Sequence, residues 1–148
     1  DKYYVPLIIN DRLDICLAVD AAGVHLGQTD LPCSEARRIL GAEKIIGVSA
    51  ATPEEAAKAQ SDGADYLGVG AVFATSTKTN TRPVTAETIR AIRSAVDIPF
   101  VVIGGVNSEN ISGLYGLGIN GAAVISAIIS QPDITAAARK MRQAAERL

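Results

Sequence analysis

Strand-like apolar runs begin about every 20 residues along this chain, and each gives way to a polar break and then to a helical stretch. The runs cover residues 5–9, 24–26, 45–48, 66–69, 98–103 and 122–125, and the helical stretches 13–22, 34–40, 52–63, 85–96, 108–118 and 134–148. Val5-Pro6-Leu7-Ile8-Ile9 and Tyr66-Leu67-Gly68-Val69 leave no room for a charge, as expected of strands buried on both faces. Buried strands alternating with helices mean a parallel sheet with helical crossovers, in six strand-helix units.

The punctuation between units agrees with this reading. Thr52-Pro53-Glu54-Glu55 combines a capping threonine, a proline at the first helical position and early acids, and Gly63 closes that helix. Gly23 suits the C-cap of the first helix and Gly41 stops the second. Ser108 is expected to cap a helix that ends near Gly118. In the closing amphipathic helix, Ile134, Met141, Ala145 and Leu148 are expected to face the core.

Six such units fit either a doubly wound open sheet or part of a (β/α)8 barrel. No GxGxxG follows the first strand. Polar residues gather where all six strands end, and a barrel collects its site at that face. The expected fold is therefore an α/β TIM barrel, incomplete as written, because 148 residues fall short of the roughly 250 of a closed barrel. All of residues 1–148 are read as one partial barrel domain.

A net charge of −2, a pI near 5.4 and no clustered basic face argue against nucleic acid as a partner. Apolar runs are far shorter than the ~20 residues of a membrane span, so the expectation is a cytoplasmic protein with no membrane partner. Cys16 and Cys33 have neither CxxC nor Cys/His ligand spacing and are read as reduced packing residues.

The chemistry is expected after the fourth strand, where residues 70–83 become hydroxyl-rich and carry one lysine. Thr75, Thr77 and Lys78 offer hydroxyls and an ammonium suited to a phosphate or diphosphate, although a solvated loop has the same composition. Gly104-Gly105 and Ser126, at the last two strand ends, offer backbone N–H groups to a second phosphate, and a tight turn alone also accounts for the glycine pair. His25, between Val24 and Leu26, reads as a packed, hydrogen-bonded histidine before a catalytic one. Gln28 stays open between substrate contact and loop cap, and Arg12 and Arg82 read as surface arginines.

Six motifs in order carry a family likeness: Pro-Leu-Ile-Ile-Asn-Asp-Arg (6–12), Gly-Val-His-Leu-Gly-Gln-Thr-Asp (23–30), Gly-Val-Ser (47–49), Tyr-Leu-Gly-Val-Gly-Ala-Val-Phe-Ala-Thr-Ser-Thr-Lys (66–78), Ile-Gly-Gly-Val (103–106) and Val-Ile-Ser-Ala-Ile (124–128). Together they resemble thiamine-phosphate synthase over nearly the whole chain. The resemblance implies a transferase on a (β/α)8 barrel that joins hydroxymethylpyrimidine diphosphate to thiazole phosphate, releases diphosphate and uses Mg2+. It implies Asp11 and Asp30 as metal ligands, and Asn10, Ser49 and Lys78 as diphosphate contacts, with Ser49 and Lys78 catalytic. It implies Thr75, Thr77, Gly105, Ile125 and Ser126 on the thiazole phosphate side.

The same likeness implies that the six strands are the third to eighth of the family barrel. The family's Gln-x-Arg-x-Lys motif on its second strand has no counterpart here. The chain is accordingly expected to be a fragment that is weakly active or inactive alone, and its exposed edges leave a homo-oligomer open. A thiazole tautomerase uses a histidine near the end of the third strand, whereas this chain has Ser49-Ala50-Ala51-Thr52 there. A non-catalytic phosphate-binding partial barrel is the alternative from a different class.

Overall fold

Every strand hydrogen-bonds in parallel to the one before it in sequence, which brings all six C-terminal ends to one rim. A computed structural model describes residues 3–74 and 83–148. Its strands are β1 (Ile8–Asn10), β2 (Gly23–Leu26), β3 (Ile45–Ala50), β4 (Tyr66–Gly70), β5 (Phe100–Ile103) and β6 (Gly121–Ala123), in the order β1-β2-β3-β4-β5-β6. A doubly wound sheet reverses its order at a switch point, and this one does not. The sheet is the curled half-barrel of a TIM-like fold.

The helices are α1 (Leu13–Ala18), α2 (Cys33–Leu40), α3 (Pro53–Ser61), α4 (Ala86–Ala95), α5 (Ser126–Ile129) and α6 (Ile134–Ala145). Three start on side-chain caps that satisfy N–H groups without an intrahelical partner. Thr52 Oγ1 accepts the Glu55 N–H at 3.2 Å, Thr85 Oγ1 the Thr88 N–H at 3.2 Å, and Asp133 Oδ1 the Ala136 N–H at 2.9 Å. Gly41 ends α2 at φ 73°, where a side chain would be strained.

Phe100, Leu26, Ile46 and Leu67 from the strands, with Ile89 and Ile92 from α4, are the largest fully buried side chains. Burial of each contributes roughly 1.5–3 kcal/mol. Cys16 and Cys33 are free and buried, as their lack of ligand spacing led us to expect, and burial pushes the Cys33 thiol up, away from the reactive thiolate. Among the described residues no helix is long and apolar enough to cross a membrane.

Opposite the C-terminal rim, Arg37 gathers backbone that has no ladder partner. Its Nη1 donates to the Gly41 and Lys44 carbonyls, both at 2.7 Å. Its Nε and Nη2 donate to the Gly63 carbonyl at 3.0 and 2.8 Å, and Nη2 also reaches Asp65 Oδ2 at 2.6 Å. Asp65 Oδ2 in turn accepts the Ile46 N–H at 2.7 Å, which ties the start of β3 to the turn before β4.

Four local expectations need correction. The run 5–9 is not a strand buried on both faces, because β1 covers Ile8–Asn10 and Val5 and Leu7 stand exposed. Gly23 is not a C-cap: Val19 caps α1, and Gly23 is the first residue of β2, paired with Ile8 and Ile45. A Cβ there would overlap the Ile45 carbonyl oxygen, so glycine is required for strand approach and not for its φ. The stretch 108–118 forms only a 3-10 turn, Ile111–Leu114. Asn107 Oδ1 accepts the Glu109 and Asn110 N–H groups, and Gly113 and Gly116 weaken any longer helix. Ile134, at the start of α6, is exposed, whereas Met141 is buried as expected.

Gly23→Ala should lower stability by about 1–3 kcal/mol, because overpacking at backbone has no relief in a side-chain rotamer. Gly113→Ala, where an added Cβ meets nothing within 4 Å, should stay within about 0.5 kcal/mol. Urea midpoints at unchanged slope measure both, and equal midpoints for the two variants would remove the close-approach explanation.

Candidate functional site

Above the C-terminal rim lies a cavity of about 930 Å3. Asn10, Asp11, Asp30, Ser49, Gly105, Ile125 and Ser126 all line it, although they come from five different strand ends. Thr75, Thr77, Lys78 and Arg82 lie outside the described residues.

Two carboxylates are set by the turns after β1 and β2. Asp11 follows Asn10 directly and adopts φ 64°, a left-handed conformation that aspartate tolerates better than most residues. Its N–H donates to the His25 carbonyl at 2.8 Å, so the turn is fastened to the end of β2. Asp30 closes the next turn on itself. Its Oδ2 accepts the Gly27 N–H at 2.6 Å, while its own N–H donates to the Gly27 carbonyl at 3.3 Å. Both carboxylates therefore belong to fastened turns on neighbouring strands, on the wall of one cavity.

Ser49 is the penultimate residue of β3, which continues two residues beyond the apolar run. Its Oγ lies 3.0 Å from His25 Nε2, and its carbonyl accepts from Gln28 Nε2 at 2.6 Å. On its far side His25 Nδ1 lies 3.0 Å from the Tyr66 hydroxyl, and burial pushes the Tyr66 phenol above its usual range, so it keeps its proton. His25 is thus hydrogen-bonded, and Gln28 holds backbone within the site.

The opposite wall is built from turns. Gly104 and Gly105 take φ 97° and 65°, and Gly105 backs onto Phe73 and Ala74 so closely that a Cβ would require the loop to move. The Gly104 carbonyl accepts the Phe73 N–H at 3.1 Å and the Gly105 carbonyl accepts from Asn110 Nδ2 at 2.9 Å, which fixes the turn. Ile125 precedes and Ser126 opens the four-residue helix α5.

Arg12 stays out of this machinery. Its guanidinium grips Asp14 through Nε at 2.8 Å and Nη2 at 2.5 Å in full solvent, and that bond holds the Asp14 carboxyl down at about 2. Sequence reading missed two participants. Glu55 lines the cavity and accepts the Ala51 N–H through Oε2 at 2.7 Å, and Tyr66 was read only as the start of a strand. Glycine at positions 47 and 68, both in buried strands beside an aromatic or a histidine, is the signal that marks Tyr66.

Hydroxyls and glycine turns at one rim of a parallel half-barrel suit a phosphorylated ligand, whereas the carboxylates beside them would repel it unless a cation lay between. The chain is 58% identical over 141 residues to a thiamine-phosphate synthase of Ruminiclostridium cellulolyticum, covering 95% of this chain and 67% of the relative. It is 51% identical over 142 residues to a thiamine-phosphate synthase of Clostridium beijerinckii, covering 96% and 68%. The structure of a thiamine phosphate pyrophosphorylase from Pyrococcus furiosus superposes with a TM-score of 0.89 at 41% identity, over 98% of this chain and 69% of that one. A 3-hexulose-6-phosphate synthase at 21% identity and a TM-score of 0.64 shares the fold alone. The family described as thiamine monophosphate synthase matches residues 1–128, nearly every element described above, and the chain belongs to that family.

Proposed function

We propose that this chain carries the transferase chemistry of thiamine-phosphate synthase, joining hydroxymethylpyrimidine diphosphate to thiazole phosphate with release of diphosphate. One observation carries the reading: the described residues matching the family's site motifs, from Asn10 to Ser126, line a single cavity. Relatives at 51–58% identity that carry the synthase name support it, and none of the alternatives gains comparable support.

On this reading the diphosphate end lies against β1 to β3. Asn10 and Ser49 donate hydrogen bonds to phosphate oxygens, and Lys78 adds a positive charge. Charge grows on the diphosphate as its bond to the pyrimidine methylene stretches, so donors already fixed in place stabilise the transition state more than the ground state. Ser49 meets this requirement, because its carbonyl and hydroxyl are both tied before any substrate arrives. The methylene leaves as a cation stabilised by its ring, and the thiazole nitrogen captures it. No general base with a shifted pKa is needed. Thr75, Thr77, Gly105, Ile125 and Ser126 hold the thiazole phosphate against the opposite wall.

Asp11 and Asp30 fit a hard cation. Among the described residues no group of three or more His, Cys, Asp or Glu side chains gathers, so two carboxylates would share the ion with water and substrate oxygens, the usual manner for Mg2+. Magnesium, when bound there, supplies positive charge to the departing diphosphate.

The six strands correspond, in this proposal, to the third to eighth of a closed barrel, with residues 1–148 as one partial barrel domain. The chain's span of about two thirds of its relatives supports this, as do the two outer strands β1 and β6, each with one hydrogen-bonded neighbour among the described residues. The protein is proposed to work in the cytoplasm on small phosphorylated substrates.

The test is chromatographic detection of thiamine phosphate from both substrates, with and without magnesium. Magnesium-dependent product supports the reading; binding of thiazole phosphate without turnover, even after the two further strand-helix units are supplied, would favour a binding module instead. Asp11→Asn should cut magnesium-dependent turnover by about 10²-fold, the scale of several kcal/mol of lost charge stabilisation, and leave thiazole phosphate binding nearly unchanged. Equal loss of both would remove the metal-ligand role. Ser126→Asp should weaken thiazole phosphate binding by about tenfold or more through like-charge repulsion, and unchanged affinity in calorimetry would refute the placement of that phosphate.

A further inference from the structure

His25, Gly47 and Tyr66 are register partners on three adjacent strands, with His25 opposite Gly47 and Gly47 opposite Tyr66. Any side chain at Gly47 would occupy the space of the Tyr66 ring, so the glycine lets that ring cross the middle strand and meet His25, with ring centroids 5.5 Å apart. One step toward the rim, Ser49 is opposite Gly68. A Cβ at Gly68 would lie 3.0 Å from His25 Cε1 and 3.3 Å from Nε2, so this second glycine makes room for the imidazole edge that faces Ser49. Side chains have thus been removed from two neighbouring layers of the sheet, and the space is taken by a chain of hydrogen bonds from Tyr66 to His25 to Ser49, each at 3.0 Å.

The order of donors along this chain follows from acidity. A phenol is a much stronger donor than an aliphatic hydroxyl, so the single acceptor nitrogen of a neutral imidazole goes to the phenol. The tautomer of a histidine is set by such neighbours. We infer that His25 is a positioning residue for Ser49: Tyr66 donates its O–H to Nδ1, this fixes the Nε2–H tautomer, and Nε2–H donates to Ser49 Oγ, so the serine's own proton is left to point at a diphosphate oxygen. In the opposite tautomer Ser49 would spend its proton on Nε2 and present only lone pairs to an anion. Gln28 completes the arrangement by holding the Ser49 carbonyl. The inference rests on the reading of Ser49 as a diphosphate donor, and its test separates the two.

His25 is the one histidine of the chain, so a histidine-selective ¹⁵N spectrum reads its tautomer without assignment. In mildly alkaline buffer the unsubstituted protein should show a pyridine-type Nδ1 and a pyrrole-type Nε2, and Tyr66→Phe should turn this into a tautomer mixture. A dominant Nδ1–H form in the unsubstituted protein would overturn the inference even if every variant failed to fold. In the magnesium-dependent assay, Tyr66→Phe should lower kcat by about tenfold, the worth of one hydrogen bond, with the KM for thiazole phosphate unchanged. The same substitution should cost nothing further in a Ser49→Ala background. His25→Gln, which keeps an N–H donor in reach of Ser49, should retain more activity than His25→Ala. Should Ser49→Ala lower kcat while Tyr66→Phe costs the same with or without Ser49, the positioning role falls and the diphosphate role stands. Unchanged kcat in Ser49→Ala would remove the diphosphate role and the inference with it.

Discussion

Parallel pairing in strict chain order is the constraint on which the rest of this molecule depends. A parallel neighbour requires the chain to cross back over the sheet, and α1 to α4 make the first four crossings while the 3-10 turn Ile111–Leu114 lies in the fifth. All strands then point the same way, and the residues where they stop share one rim whatever their distance in sequence. Asn10 and Ser126 are brought to one cavity by topology alone. No long-range contact between the individual side chains has to be selected for this to happen.

A second constraint comes from how closely the strands lie. Neighbouring strands are separated by less than the reach of a large side chain, so two aromatic or polar rings can share one layer only where the strand between them carries none. Glycine in a strand interior ordinarily weakens the strand. Here Gly47 and Gly68 accept that weakness in the middle of the sheet, and fully buried Leu67, Val69 and Ile46 on the same strands offset it. The polar group of His25, Tyr66 and Ser49 consequently lines the cavity on strands that carry fully buried side chains beside it.

Period, punctuation and strand-end polarity were enough to read the architecture from the sequence. Each of the six strands overlaps the apolar run that predicted it, although β1 begins only at Ile8, and the capping role of Thr52 is borne out. Misreadings arose where one residue type serves two physical purposes. Gly23 resembles a helix stop, yet the Ile45 carbonyl is what excludes a side chain there. The stretch 108–118 has a helical outline, but Asn107 and Asn110 bind nearby backbone instead. At the site, the carboxylates and Ser49 were named through the family likeness, and they line one cavity at the strand ends. His25 was read as a hydrogen-bonded residue and is one, but its partners, the Gln28 contact to the Ser49 carbonyl and the part of Tyr66 lie across strands, where no local pattern records them.

Arg37 and Asp65 draw the backbone of the opposite rim together through the Gly41, Lys44 and Gly63 carbonyls and the Ile46 N–H. Cohesion of the fold and chemistry of the cavity are therefore assigned to opposite ends of the same strands. Inheritance can act on them separately: a change in the turns around Asp30 or Gly105 alters what is bound without loosening the clasp, and a change at Arg37 alters endurance without retuning the cavity. A scaffold divided in this way can diversify its substrates over generations while its frame stays the same.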